Sequence, residues 1–332
     1  MNKYETLVQV AKWYFLDGLG QAEIARKIKK SRSMVSKMIT EARTQNIVDI
    51  RINFPTSRNR DLELQLKQHL QLDSVWVVES SGSSELNHLA LVSTGAQCLA
   101  TFLKPGMTLG MAWSRTLRDV IQQVEPSIHL GITVVQLSGS AALGEASLDG
   151  IEIVRALSEK LGGTHRYFPA PLIVRTKELA DALMHEPTVQ ASLHYAQKCD
   201  VAVIGIGAAD PAQNSLLQSK LLDSKSLNEL IHKGSVGDIL AHQLREDGTT
   251  VDTDFNKRVI GLDAEALQQI PTVIAIASGK AKTKAIYAAA KGGFISNLVT
   301  DSITATELMQ LMPISSEGVS LRMQKQHPGA TT

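Results

Sequence analysis

Cysteine is scarce in this chain of 332 residues: there are only two, Cys98 and Cys199. They stand alone, without metal-ligand spacing or a disulfide framework, and read as buried thiols of a reducing compartment. The nine histidines are scattered as well, so no metal site is expected. No segment approaches the roughly 18 uninterrupted apolar residues that span a bilayer. The opening MNKYETLVQVAKWYF mixes charges into its apolar positions and lacks signal-peptide order, so a cytoplasmic protein without a membrane partner is expected.

What is present is a globular composition, 43% hydrophobic and 20% charged, long enough for one large domain and one small. The net charge of +1 hides an asymmetry: residues 1–60 hold twelve Lys or Arg against five acids, and the remainder 22 against 28. A head of +7 on a body of −6 points to a polyanionic partner for the head.

In the head, residues 4–16 read as one amphipathic helix stopped at Asp17-Gly18, and 21–28 as a second, short helix. Lys29 and Lys30 form a turn, and Ser31 is a good N-cap for a third helix reaching about Thr44. On a helical wheel Met34, Val35, Met38, Ile39 and Ala42 share one side. Arg32, Ser33, Ser36, Lys37, Thr40 and Arg43 share the other, with Glu41 only at its edge. A face that needs solvation alone normally mixes in acids. Two short helices joined by a tight turn, the second offering Arg, Lys and hydroxyls, make a helix-turn-helix whose second helix enters the major groove of duplex DNA. The plainer alternative is a basic hairpin for protein contact. NIVDIRINF, 46–54, alternates like a strand or wing and is stopped by Pro55.

The run from Gln21 to Ile50 resembles the N-terminal region of SorC-type bacterial transcriptional regulators. The likeness rests on Gln21, Glu23, Ile24, Ala25, Ser31, Arg32, Val35, Ser36, Ala42, Arg43, Ile47, Val48 and Ile50. The sequence departs at Lys29 and Lys30, where that pattern has Gly and an apolar residue, and at Lys37 and Asn46, where it has Arg and Gly. The expected DNA-contacting set is Gln21, Lys29, Lys30, Ser31, Arg32, Ser33, Ser36, Lys37, Thr40 and Arg43.

Residues 58–72 space Leu62, Leu66 and Leu70 four apart, an amphipathic helix that either packs on its own body or pairs with a second subunit. From residue 73 strand-like and helix-like runs alternate. The strand candidates are 75–80, 107–113, 132–139, 165–174, 200–207, 272–279 and 297–301. Apolar strands separated by helices imply a parallel sheet covered on both faces, with ligands beyond the carboxyl ends of the strands. Those exits are rich in small and polar residues. After Ser278-Gly279 a helix opens with Lys280, Lys282 and Lys284, a pattern that suits an anion, although small-residue turns also serve packing.

The resemblance runs on to about Met312, through Gly110, Trp113 and Thr116, then Gln136, Leu137 and Gly139, and Pro169 to Leu172. It continues in GSVGDI around Asp238, in Arg258 to Leu262, in Ala277 to Ile286 and in Leu298, Thr300 and Asp301. It implies an α/β effector domain related in fold to sugar-phosphate isomerases, binding a phosphorylated sugar and assembling as a dimer or tetramer, with no cofactor. The implied phosphate ligands are Gly279 and Lys282 with Ser138, Gly139 and Ser140. The sugar site would comprise Trp113, Ser114, Arg115, Thr116, Gln136, Pro169, Ala170, Pro171, Gly205, Gly207 and Asp238. Ser114, Ser140 and Ser278 stand where Gly is usual, or Gly or Asn for Ser140, which adds hydroxyls. Asp238 also fits a helix cap, and Trp113 a core aromatic.

The expected organisation is an all-α helix-turn-helix domain over 1–55, a linker or oligomerisation helix over 56–72, an α/β effector domain over 73–314 and a flexible tail over 315–332. The function is then transcriptional regulation of a carbohydrate operon. The alternative is a sugar-phosphate isomerase or deaminase with an added basic module and Asp210, Asp238 or Glu145 as its base.

Overall fold

The computed structural model describes residues 2–45, 47–48, 56–141 and 150–311. The strand expected over 46–54 falls almost wholly outside these residues, as do Pro55, Glu145 and the tail from 315. The chain divides into two units, the second beginning at residue 54.

The first unit is helical. Helix α1 (Lys3–Ala11) carries a capping box from Asn2 and Glu5 and runs into a π-helical turn at Lys12–Leu16, so the expected single helix is continuous but changes pitch. Helices α2 (Gln21–Ile28) and α3 (Arg32–Thr44) pack with it around Val10, Ile24, Ala25, Val35 and Ile39. The turn between α2 and α3 closes as a Schellman pair, Lys30 N–H to Ala25 C=O at 3.0 Å and Lys29 N–H to Arg26 C=O at 3.3 Å. That closure needs a left-handed residue, and Lys29 supplies it at φ 53°, where glycine would sit without steric cost.

The second unit starts with α4 (Arg60–Leu70) and β1 (Ser74–Val78), followed by α5 (Ser84–Phe102), β2 (Thr108–Met111), α6 (Arg115–Gln123), β3 (Thr133–Gln136), α7 (Gly150–Lys160) and β4 (Thr164–Arg166). Next come α8 (Lys177–Met184), α9 (Pro187–Gln197), β5 (Val201–Ile204), β6 (Gly207–Ala208), α10 (Ser215–Gln218), α11 (Ser224–His232), β7 (Ser235–Ile239) and β8 (His242–Arg245). The last elements are α12 (Ala264–Leu267), β9 (Thr272–Ile276), α13 (Thr283–Lys291), β10 (Asn297–Asp301) and α14 (Ser302–Leu311).

Seven strands form one parallel sheet in the order β1-β10-β9-β5-β2-β3-β4. Every residue of β5 and β10 is buried, which requires cover on both faces. The strand expected over 165–174 is reduced to Thr164–Arg166, because the chain then leaves the edge and crosses beside residues 138–140. A second, antiparallel sheet of β6, β7 and β8 was not legible in the sequence.

Helix α4 lies on the body's own core: Leu66 and Leu70 are buried there and Leu62 packs against it. Its buried Glu63 takes Arg58 at 2.5 Å, Arg60 at 3.0 Å and the Val77 N–H at 3.0 Å, while the Arg58 guanidinium stacks 3.5 Å from the Trp76 ring centroid. Residues 57–59 run antiparallel along β1 through Asn59 N–H to Val77 C=O and Glu79 N–H to Ser57 C=O, both 2.8 Å. The segment that leads into the body is therefore clamped by one buried carboxylate.

Two outcomes follow. Glu63→Ala strands Arg58 without its anion and should cost about 3 kcal/mol in urea unfolding, and a loss under about 1 kcal/mol contradicts the clamp. Lys29→Gly relieves the left-handed strain and should stabilise the head by about 1 kcal/mol, seen as slower amide exchange in α2 and α3. Unchanged exchange contradicts that account.

Candidate functional site

In the first unit α3 presents the basic face that the wheel predicts. Ser31 caps it through the Met34 N–H at 3.2 Å and its hydroxyl lies 2.9 Å from that of Ser33. Lys29, Lys30, Ser31, Arg32, Ser33, Ser36, Lys37, Thr40 and Arg43 are exposed, and Gln21 is half-buried at the start of α2. Among the described residues none of the five cations in that set has an acidic partner. Met34 differs from expectation: it is 46% exposed and lies outside the core that Val35 and Ile39 join.

In the second unit the sheet dictates where a cleft opens. From β2 the chain proceeds outward to β3 and β4. It then returns to place β5 on the other side of β2 and proceeds to β9 and β10. The loops leaving β2 and β5 therefore diverge, and a crevice forms beyond the carboxyl ends of those two strands. The cleft is lined by residues 112–116 after β2, 205–207 after β5, Ser138 after β3 and Lys282 after β9. Asp238, Leu240 and Ala241 of the antiparallel hairpin, with Leu172, Gln213, Ser215 and Leu216, complete it. The space, counting its open mouth, is ≈ 730 Å³.

Two glycines permit this convergence. A Cβ on Gly205 would lie 2.9 Å from Ser114 Oγ, and one on Gly207 would lie 2.0 Å from Asp238 Oδ1. Asp238 is thus seated against bare backbone. It accepts the Ala241 N–H, yet its Oδ1 is buried and meets no donor among the described residues. Burial pushes its carboxyl up to about 6, moderated by the Lys282 charge and the Ala241 N–H. Lys282 is half-buried, and burial lowers its ammonium below the usual range; Asp238 opposes that shift and Arg115 adds to it.

Helix α6 opens on the cleft with Ser114 as its cap, although the bond from the Leu117 N–H to Ser114 Oγ is long at 3.5 Å. Arg115 is exposed there and donates to Gln218 Oε1 at 2.5 Å. At the other end Lys160 caps the carbonyls of Ile121, Gln122 and Val124 at 2.8, 2.8 and 3.2 Å, so the helix is satisfied behind and open in front.

Nine expected residues line the cleft together: Trp113, Ser114, Arg115, Thr116, Ser138, Gly205, Gly207, Asp238 and Lys282. The other seven do not. Gln136 is buried behind it, bonding the Phe168 N–H at 3.1 Å and Ser140 Oγ at 3.3 Å. Gly139 and Ser140 pack against the 169–172 segment, Ser140 N–H to Ala170 C=O at 2.9 Å. Pro169 and Pro171 are exposed beside that crossing and Ala170 is half-buried in it. Gly279 gives its N–H to Thr304 Oγ1 at 2.7 Å, so this amide is already used. Asp238 is a strand residue of β7 and not a cap, and Asp210 accepts the Ala212 N–H in a turn of its own. Cys98 and Cys199 are free and buried, their thiols pushed up to about 12 by burial.

Leu240 and Ala241 escaped the sequence reading. They form the two-residue connection of the β7–β8 hairpin at φ 49° and 68°, the positive values of a type I′ turn, which favours Asn-Gly. Gln213 and Ser215 also gave no pattern to follow.

The Asp238 shift has a definite sign. Its folded value lies above the ordinary 3.8, so the folded state takes up a proton as pH falls from above 6 toward 4 and gains stability, up to about 3 kcal/mol, that is lost as pH rises again. In urea unfolding the difference between wild type and Asp238→Asn should grow across that window, the variant being the flatter; parallel curves contradict the buried carboxylate.

Residues 55–310 match the family described as "Putative sugar-binding domain". The chain is 29% identical over 314 residues to "Transcriptional regulator LsrR" of Enterobacter sp. (strain 638), covering 94% of each protein. It is 28% identical over 306 residues to "Uncharacterized transcriptional regulator YjhU" of Escherichia coli (strain K12), covering 90% of this chain and 93% of that one. Its fold aligns with the full-length sorbitol operon regulator SorC from Klebsiella pneumoniae at a TM-score of 0.69 and 26% identity, over 92% of this chain and 98% of that one. A DeoR family transcriptional regulator from Listeria monocytogenes aligns at 0.69 and 27% identity, over 75% and 98%. No helix among the described residues is long and apolar enough to cross a membrane. These likenesses are to sugar-responsive regulators and not to an isomerase, and the chain belongs to the SorC-type family of sugar-binding transcriptional regulators.

Proposed function

We propose that this regulator binds duplex operator DNA through α3 and is controlled by a phosphorylated sugar or sugar alcohol held in the switch-point cleft. One observation carries the reading: the open N-terminus of α6, Arg115 and Lys282 converge on a cleft whose other polar wall is Asp238. Amides at a helix start with two cations form an anion site, and a carboxylate with an unmet oxygen accepts hydroxyl donors. Phosphate then lies against residues 114–116 and Lys282, sugar hydroxyls face Asp238, and Trp113 offers an apolar wall. No metal or cofactor is needed, because the ligand acts by being bound.

On the DNA side, Arg32, Ser33 and Lys37 start the groove-facing helix and suit base edges, while Lys29, Lys30 and Arg43 suit phosphates. Gln21, Ser31, Ser36 and Thr40 flank them as hydroxyl and amide donors to the backbone. Two half-sites require at least a dimer, and control then follows by linkage: a ligand that favours one arrangement of subunits shifts DNA affinity by the same factor that DNA shifts ligand affinity.

A thermal-shift panel of sugar phosphates beside their unphosphorylated sugars tests this reading. A phosphorylated member present at 100 times its dissociation constant should stabilise the protein by about 2.7 kcal/mol, the parent sugar should not, and Lys282→Met should abolish the gain. Stabilisation by a neutral sugar alone, undiminished in Lys282→Met, contradicts the phosphate assignment.

A further inference from the structure

The lysine of the cleft does not stand on a regular element. It ends a short 3-10 turn, Lys280–Lys282, between β9 and α13, and that turn begins at Gly279. Gly279 sits at φ 110°, a conformation side chains rarely adopt, although a Cβ there would meet nothing closer than Gln213 Oε1 at 3.7 Å. The requirement for glycine is thus one of backbone direction and not of space. That direction sends the Gly279 N–H away to α14, where Thr304 Oγ1 accepts it at 2.7 Å.

Thr304 is itself held. It is fully buried, and its own N–H donates to Asp301 Oδ1 at 2.7 Å, which caps the first turn of α14 directly after β10. A second, exposed link repeats the connection one turn along α14, from Lys280 Nζ to Glu307 Oε1 at 2.9 Å. Inside the turn, Lys282 N–H returns to Gly279 C=O at 2.9 Å and Thr283 Oγ1 donates to Lys280 C=O at 2.6 Å. The turn is closed on itself, and among the described residues its hydrogen-bonded anchor in the core is the Thr304 hydroxyl.

We infer that Thr304 is a positioning residue for Lys282: its hydroxyl pins the Gly279–Lys282 turn to α14 and so sets where the ligand-facing ammonium stands. Thr304 touches no ligand. It acts through Gly279, and it also takes up the Gly279 amide that a small-residue turn would otherwise offer to an anion. Helix α14 in turn packs on α13 and on α4, the helix that follows the clamped segment at residues 57–59.

The ligand readout rests on the anion-site reading above; the tether itself does not. The test uses the full chain with Thr304→Val, which keeps the shape and removes the acceptor, and Thr304→Ser, which keeps the acceptor. In ligand-free protein, amide exchange of residues 279–283 should quicken at least tenfold in Thr304→Val relative to peptides elsewhere, and stay as wild type in Thr304→Ser. Trace acetylation across pH should show the Lys282 titration moving up toward the ordinary lysine value in Thr304→Val alone. Affinity for inorganic phosphate, read by calorimetry, should weaken about fivefold in Thr304→Val and be kept in Thr304→Ser. Uniform quickening across the domain, no quickening, or Thr304→Ser behaving like Thr304→Val overturns the inference. If wild type binds no phosphate, the anion-site reading fails, while exchange and acetylation still decide the tether.

Discussion

The reversal of strand order between β2 and β5 is the constraint on which the effector domain depends. A parallel sheet cannot fill the space above two neighbouring strands whose exits turn opposite ways, so a crevice is a consequence of topology before any side chain is chosen. The side chains then exploit it. Gly205 and Gly207 bring the two exits and the hairpin to contact distance, the β7–β8 hairpin roofs the space with Leu240 and Ala241, and the start of α6 faces inward.

Electrostatics give the crevice its character. Asp238 and Lys282 are opposite charges that burial moves in opposite directions, one carboxyl upward and one ammonium downward. A buried carboxylate with one oxygen lacking a donor is costly in an empty site and well suited to a polyhydroxylated ligand that brings donors of its own. The same division of labour appears at the scale of the chain, where the positive charge sits in the head and the acidic excess in the body. At the start of the described second unit, residues 57–59 pair with β1 through main-chain bonds and Glu63 holds Arg58 there by one ionic clamp.

Much of this was legible in the sequence wherever periodicity or a cap carried the signal. The span of α2, the Ser31 cap, the exposed basic face of α3 and the full length of β10 follow from periodicity, apolar runs and capping. The strand exits after β2 and β5 were legible because small and polar residues gather there. What escaped detection depended on long-range contact. Gln136 bears a polar amide yet spends it on Phe168 and Ser140, which no spacing reveals. The run 165–174 reads as a strand but leaves the sheet after three paired residues, its backbone bonding 138–140 and 258–260 instead. Leu240 and Ala241 carry no turn signature, so the hairpin and the roof of the site were hidden, and Gly279 announced an anion loop whose amide Thr304 already holds. Lys29 shows the opposite relation: an irregular residue in an otherwise familiar turn, marked by the sequence and found strained in the structure.

The central claim, that the switch-point cleft holds the phosphate of a sugar-type effector, is tested most directly by a crystal structure of the full chain with a saturating sugar phosphate. The account predicts phosphate density at the N-terminus of α6, within hydrogen-bond distance of Lys282, with a sugar hydroxyl on Asp238. Phosphate density elsewhere, or a ligand seated in the cleft with its hydroxyls on Lys282 and its phosphate in solvent, would contradict it.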